Sequence, residues 1–232
     1  MSEQKTAQRP VRKRAARKSR EERVSEILRA ARLAFSKSGY DSTSVGEIAS
    51  SIHISESTIY KYFDSKNDLL YGLLRKWYLE MISETSKKAT HIENIRYRIY
   101  TIIHEHLITI REAPDLCRLF YTNIRSKTDY IGSEFHILNR RATQILVQAV
   151  EDGMAEGLLD KVSPLLVRNL VYGGIEHHVT PFLAGKGSLD CADLAQTLTS
   201  IIFDGLGKPR LRNAPDRALT DEEMPELFVS IA

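Results

Sequence analysis

The chain is expected to be an all-α protein, with a small three-helix head at the N-terminus and a larger all-helical domain after it. Three observations support this. Apolar residues recur at three- and four-residue spacing through most of the 232 residues. Capping-box patterns stand at the starts of the first segments, and no apolar/polar alternation of the kind a half-buried strand needs competes with them.

The first helix is expected over about 20–37: Ser19 and Glu22 form a capping box, Val24, Ile27, Leu28, Ala31, Ala34 and Phe35 follow at helical spacing, and Gly39 closes the segment. Ser44 and Glu47 repeat the box before Ile48, Ala49 and Ile52, giving a second helix over about 45–51. After a break at Ile52-His53-Ile54, Ser55 caps a third short helix running through Phe63. Ser65 with Asp68 caps a fourth that opens Leu69, Leu70, Leu73, Leu74 and Trp77. Short helix, tight turn, short helix is a helix-turn-helix. The fourth helix runs to about Lys88, the next over about 92–111 before Pro114, and another over about 115–126. After a loop, helices follow at about 134–156, 163–183 and 189–205, broken near Gly157 and at Gly185 and Gly187. The expected divisions are a basic arm at 1–18, a head at 19–66, a second domain at 67–206 and a tail at 207–232.

The net charge of +3 conceals an asymmetry. Residues 1–20 hold eight basic side chains against Glu3 alone, a net +7, so the other 212 residues carry −4. A block of like charge with Pro10 and no apolar anchors is expected to be disordered when free and to serve as an arm for a polyanion, nucleic acid being the natural partner. Arg12, Lys13, Arg14, Arg17 and Lys18 are its candidate contacts. An inert solubilising terminus is the other reading, and the helices next in the chain decide between them. Residues 21–66 hold six basic and seven acidic groups, so the arm must supply much of the field, each phosphate it neutralises steepening the salt dependence by about 0.9 log units.

On the third helix, at about 100° per residue, Ile59 and Phe63 form an inward edge while Ser57, Thr58 and Lys61 lie opposite, flanked by Tyr60 and Tyr62. A major groove about 12 Å wide admits one helix, and these side chains are suitable donors to base edges and phosphates. A small surface helix would have the same composition. The arm and the preceding helix weigh for duplex DNA.

The run FSKSGYDSTSVGEIASSIHISESTIYKYFDSKNDLL, Phe35 to Leu70, closely resembles the DNA-binding head of TetR/AcrR-family transcriptional regulators. It presents GY, then TS, then IA, then S-x-x-T-x-Y-x-x-F, then K-x-x-L in order, and the likeness covers about residues 20–74. The resemblance implies that Thr43 and Ser44 touch the DNA backbone and that Ser55, Ser57, Thr58, Tyr60, Lys61 and Tyr62 line the recognition helix. It also implies that Lys66 meets a phosphate at a helix N-terminus. Two positions depart from the pattern: His53 stands where glycine is usual, which implies strain if φ is positive, and Tyr62 stands where histidine is frequent.

For the second domain the resemblance implies ligand binding and a homodimer formed through the helices at 163–183 and 189–205. Leu165, Leu166, Leu170, Val171, Ile175 and Val179 on the first, with Leu194, Leu198, Ile201 and Ile202 on the second, suit such a seam and equally suit an ordinary core. Two heads call for a palindromic double-stranded operator. Tyr100, His104, Tyr121, Arg125, Arg140, Tyr172 and His177 are the candidate contacts to a small-molecule effector of unknown identity. The resemblance implies effectors such as an acyl-CoA or another hydrophobic or anionic molecule, and the arginines at 118, 125, 140 and 141 suit an anionic or CoA-like one. The effector would shift the connecting helix at about 66–88 and so change the spacing of the heads. A repressor released by its ligand, a ligand-assisted activator and an architectural DNA binder all remain open.

Other classes find little support. His177 and His178 point about 100° apart and His104 and His106 about 200° apart, so neither pair makes an i, i+4 clamp and no metal is expected. Cys117 and Cys191 have no CxxC partner. A glycine-rich phosphate loop, a GxSxG elbow and an HExxH motif are all missing, so neither catalysis nor a cofactor is expected. With no apolar run of about 18 residues and a basic start unlike a signal peptide, the chain is expected to remain in the cytoplasm, away from membranes.

Overall fold

The structure, a computed structural model, describes residues 18–205. The expected arm up to residue 17 and the tail from 207 onward lie outside them. Within the described residues the elements are helical throughout: α1 (Arg20–Ser38), α2 (Val45–Ser51), α3 (Glu56–Ile59), α4 (Lys66–Ala89), α5 (Ile95–Glu112), α6 (Pro114–Phe120), α7 (Glu134–Ala155), α8 (Pro164–Leu183) and α9 (Cys191–Asp204). One π-helical turn, Tyr121–Arg125, continues α6.

Local chemistry explains most of the boundaries. Both capping boxes form, Ser19 with Glu22 and Ser44 with Glu47, so the first free N–H groups of α1 and α2 are satisfied from within the chain. α5 starts three residues later than expected because Asn94 is the cap, its side-chain oxygen accepting from Tyr97 N at 2.9 Å. The largest departure is α3, which holds only four residues where a helix through Phe63 is expected. Beyond Ile59 the chain keeps winding with tighter bonds mixed in: Lys61 N donates to Thr58 O and Tyr62 N to Ile59 O, three residues back, while Phe63 N still reaches Ile59 O, four back.

The described residues form two compact units. The first runs to Leu79 and takes up Asp115–Phe135 as well; the second comprises Glu80–Pro114 and the described residues from His136 onward. The first therefore reaches past the expected head, because α4 and α6 complete its core. Ile27, Leu28, Phe35, Ile48, Ile59, Leu69, Leu70 and Leu74 are buried there. Gly72 is required by that packing, since a Cβ would lie 2.8 Å from Phe63 Cε1. Arg32 of α1 grips Asp115 of α6 through two bonds, Nε at 2.7 Å and Nη2 at 2.8 Å, with Ser36 Oγ adding a third at 2.7 Å. Desolvation opposes ionisation of Asp115, yet the bonds from Arg32 and Ser36 hold its carboxyl below the usual range. In the second unit, α9 packs on α5, where Arg96 reaches Asp204 at 2.7 and 3.1 Å.

His53 bears out the strain implied by its departure from glycine. Its φ is +57°, the one positive value among the described non-glycine residues. A left-handed conformation costs a side-chain-bearing residue about 1–2 kcal/mol, while glycine in its place loosens the unfolded chain by about 0.4–1 kcal/mol. His53 is exposed, so no packing is lost. His53→Gly is expected to raise the urea midpoint, a net gain of about 0.5–1 kcal/mol.

Candidate nucleic-acid interface

The α3 segment divides as its periodicity predicts. Ile59 and Phe63 are buried, while Ser55, Ser57 and Lys61 are exposed and Tyr60 is 46% exposed. Thr58 and Tyr62 are half-buried between the two faces. Ser55 Oγ accepts from Thr58 N at 3.2 Å and pairs with Ser57 Oγ at 2.9 Å and Thr58 Oγ1 at 2.8 Å, so three hydroxyls gather where the helix begins. Ser55 therefore builds the helix, and Ser57, Tyr60 and Lys61 form its outward polar edge. The guanidinium of Arg20, the first residue of α1, lies 5.7 Å from the Tyr62 ring centroid, which sets the start of α1 beside this edge. Lys18 bonds to Glu26, which also accepts from Arg23.

Two expected contacts are corrected. Thr43 is buried, and its hydroxyl donates to Gly39 O at 2.7 Å, satisfying a carbonyl at the end of α1 rather than facing outward. Lys66 is likewise committed to the fold. Its ammonium donates to Tyr40 O, Asp41 O and Thr43 O at 3.0, 3.2 and 3.1 Å and sits 4.5 Å from the Tyr40 ring centroid. Three N–H donors meet three carbonyls, so none is left for a phosphate. Ser44 stays exposed but serves α2 as its cap, with Glu47 N donating to its Oγ at 3.1 Å. Lys66→Met is expected to cost about 1–3 kcal/mol of stability while leaving the salt slope of DNA binding unchanged. A phosphate contact would instead flatten that slope by about 0.9.

The expected effector contacts are distributed over both units. Tyr121 and Arg125 belong to the π turn of the first, Tyr121 half-buried and Arg125 exposed with its guanidinium 4.7 Å from the Tyr130 ring. In the second unit Tyr100 stacks between Tyr97 and His104 on α5, at 6.1 and 5.5 Å. Arg140 and His177 are exposed. Tyr172 of α8 meets His106 of α5 edge to face at 4.9 Å, a pairing the sequence did not signal. Burial pushes the His106 imidazole down to about 4 and raises the Tyr172 phenol. No group of three or more His, Cys, Asp or Glu among the described residues is placed to hold a metal ion.

The apolar residues of α8 divide in two. Val171, Ile175 and Val179 are core, whereas Leu166 and Leu170 are 55% and 66% exposed and continue through Gly173, Gly174 and His177 as one open stripe. Leu165 is exposed as well, and on α9 Ile201 is exposed while Leu194, Leu198 and Ile202 are half-buried.

Residues 27–72 match the family described as bacterial regulatory proteins, tetR family, and residues 93–206 match the tetracyclin repressor-like C-terminal domain. The fatty acid metabolism regulator protein of Bacillus subtilis (strain 168) is 19% identical over 190 residues, spanning 82% of this chain and 98% of that protein. Among solved structures, FadR from Bacillus subtilis in complex with stearoyl-CoA has a similar fold, with a TM-score of 0.71 and 19% identity over 79% of this chain and 99% of that one. A transcriptional regulator of the TetR/AcrR family from Thermobifida fusca YX-ER1 gives a TM-score of 0.65 and 25% identity over 80% of this chain and 99% of that one.

Proposed function

The chain belongs to the tetR family of bacterial regulatory proteins, and from that premise we propose that it is a repressor, released from a palindromic operator when a long-chain acyl-CoA or a related ligand binds its C-terminal domain. The outward edge of α3 carries the DNA-binding half of this reading. Its anchors Ile59 and Phe63 are buried, leaving Ser57, Tyr60 and Lys61 free for a major groove. The basic segment before Arg20 would add phosphate contacts beside that edge, since Arg20 already lies against Tyr62. The effector half is supported by the stearoyl-CoA held in the similar Bacillus subtilis structure. Pairing of two copies through the open stripe of α8 and the neighbouring positions of α9 would set two heads on the two half-sites. Such a regulator would work in the cytoplasm; no helix among the described residues is long and apolar enough to cross a membrane.

Fluorescence anisotropy on an operator selected from a random duplex pool tests the proposal. Palmitoyl-CoA is expected to weaken capture at least tenfold, within the 1–3 kcal/mol or so usual for coupling between sites, while coenzyme A alone leaves it unchanged. A tightening would make the protein a ligand-assisted activator. Indifference to every acyl-CoA would remove the effector reading and leave the DNA-binding one standing.

A further inference from the structure

One face of α5 carries aromatic rings outside the core. Tyr97, Tyr100, His104, Ile108 and Arg111 fall within about 80° of one another around the helix, on the side turned away from the buried Ile95, Ile99 and Ile102. The three rings stack in order, with centroids 6.1 and 5.5 Å apart and planes at 13° and 14°. Tyr97 is 59% exposed, Tyr100, His104 and Ile108 are half-buried, and Arg111 is exposed. α9 borders this stripe on one flank, where Arg96 holds Asp204, and the end of α4 borders it on the other, where Lys88 holds Glu105 at 2.6 Å. An ordered aromatic stripe of this kind is a surface that fits an apolar partner.

The fold brings one segment of the chain to the end of that stripe. Asp204, the last residue of α9, accepts from Arg96 at 3.1 and 2.7 Å, and the Phe203 ring lies 5.1 Å from the same guanidinium. Arg96 immediately precedes Tyr97, so the chain leaves α9 where the stripe begins. Residues 206–232 follow, and they set Asp221, Glu222, Glu223 and Glu226 beside the apolar Leu227, Phe228, Val229 and Ile231. The match to the C-terminal domain of the family stops at residue 206, so this acidic and apolar segment lies beyond the matched domain.

We propose that residues 221–231 pack on the α5 stripe of their own subunit, with the carboxylates toward Arg111 and the apolar run over Ile108, Tyr100 and Tyr97. Reach is ample: the stripe is about 21 Å long at 1.5 Å per residue, and some twenty extended residues span about 70 Å. Tethering holds the segment at roughly millimolar effective concentration, so a few apolar contacts suffice where a free peptide would dissociate. Charge agrees as well. Glu105 is taken by Lys88, and Glu112 lies about 100° round the helix from Arg111, so the stripe itself presents a cation to the acidic residues. The proposal is independent of the operator and of the effector.

Hydroxyl-radical footprinting of the full chain, without DNA, reads which side chains are covered. Tyr97 is expected to be oxidised at least threefold more slowly than Tyr60, which is 46% exposed on the head. Leu227→Asp with Phe228→Asp is expected to raise Tyr97 oxidation at least threefold and to leave Tyr60 unchanged. Reciprocally, Tyr97→Ser with Tyr100→Ser is expected to raise oxidation of Phe228 by a similar factor, while circular dichroism shows the helices intact. Protection of Tyr97 is expected to persist in single subunits, obtained with Leu166→Glu and Leu170→Glu on α8. Its loss there would assign the covering to a second copy or to that copy's tail and overturn the proposal. Oxidation of Tyr97 as fast as that of Tyr60 in the wild type, or protection indifferent to the substitutions at 227 and 228, would overturn it equally.

Discussion

Replacing Ser57, Tyr60 and Lys61 together with alanine is expected to abolish measurable operator capture while the protein remains folded. All three are exposed side chains on a segment held by Ile59 and Phe63, which stay in place. Contacts to base edges and phosphates are worth about 1–3 kcal/mol each, and a two-fold complex loses them twice. The expected loss is therefore at least about a thousandfold, whereas exposed substitutions of this kind shift stability by about 0.5 kcal/mol or less. Anisotropy measures the first quantity and a urea melt the second. Capture retained within tenfold would mean that duplex DNA is met by another surface, and the assignment of α3 as the recognition helix would fall.

Glutamate at both Leu166 and Leu170 is expected to leave a folded monomer that no longer holds its operator. These leucines are open to solvent on the face of α8 turned away from Val171, Ile175 and Val179. Burying one leucine in an interface contributes about 1.5–3 kcal/mol, and two-fold pairing counts each position twice. The substitution removes that burial and sets like charges opposite one another, so dimer dissociation is expected to strengthen by about four orders of magnitude or more. A single head then faces one half-site alone. Sedimentation velocity reads the association state and circular dichroism checks the helices. Val171→Ala provides the contrast: as a core residue it should lower stability by a few kcal/mol and leave the association state unchanged. A persistent dimer in the double glutamate variant would place the interface elsewhere.

How far the site could be read in advance varies from residue to residue. Both capping boxes, the inward pair Ile59 and Phe63, and the unusual backbone at His53 could be recognised from residues at most a few positions apart. Lys66 could not. Its place at the start of a helix suggests a cation waiting for a phosphate, but the carbonyls it binds belong to residues 23–26 positions earlier. The grip of Arg32 on Asp115 spans 83 positions, and nothing near either residue announces it. The need for glycine at position 72 is of the same kind, because it is Phe63, on a different element, that leaves no room for a Cβ there.

From the amino-acid order alone came the helices, their caps and the polar edge of α3, because capping and periodicity act between residues three or four apart whose geometry the backbone itself sets. Only the tertiary structure decided which polar groups remain outward. Whether a hydroxyl, an ammonium or an imidazole keeps its water or exchanges it for a carbonyl or a ring depends on what distant packing brings alongside, as it does for Thr43, Lys66 and His106.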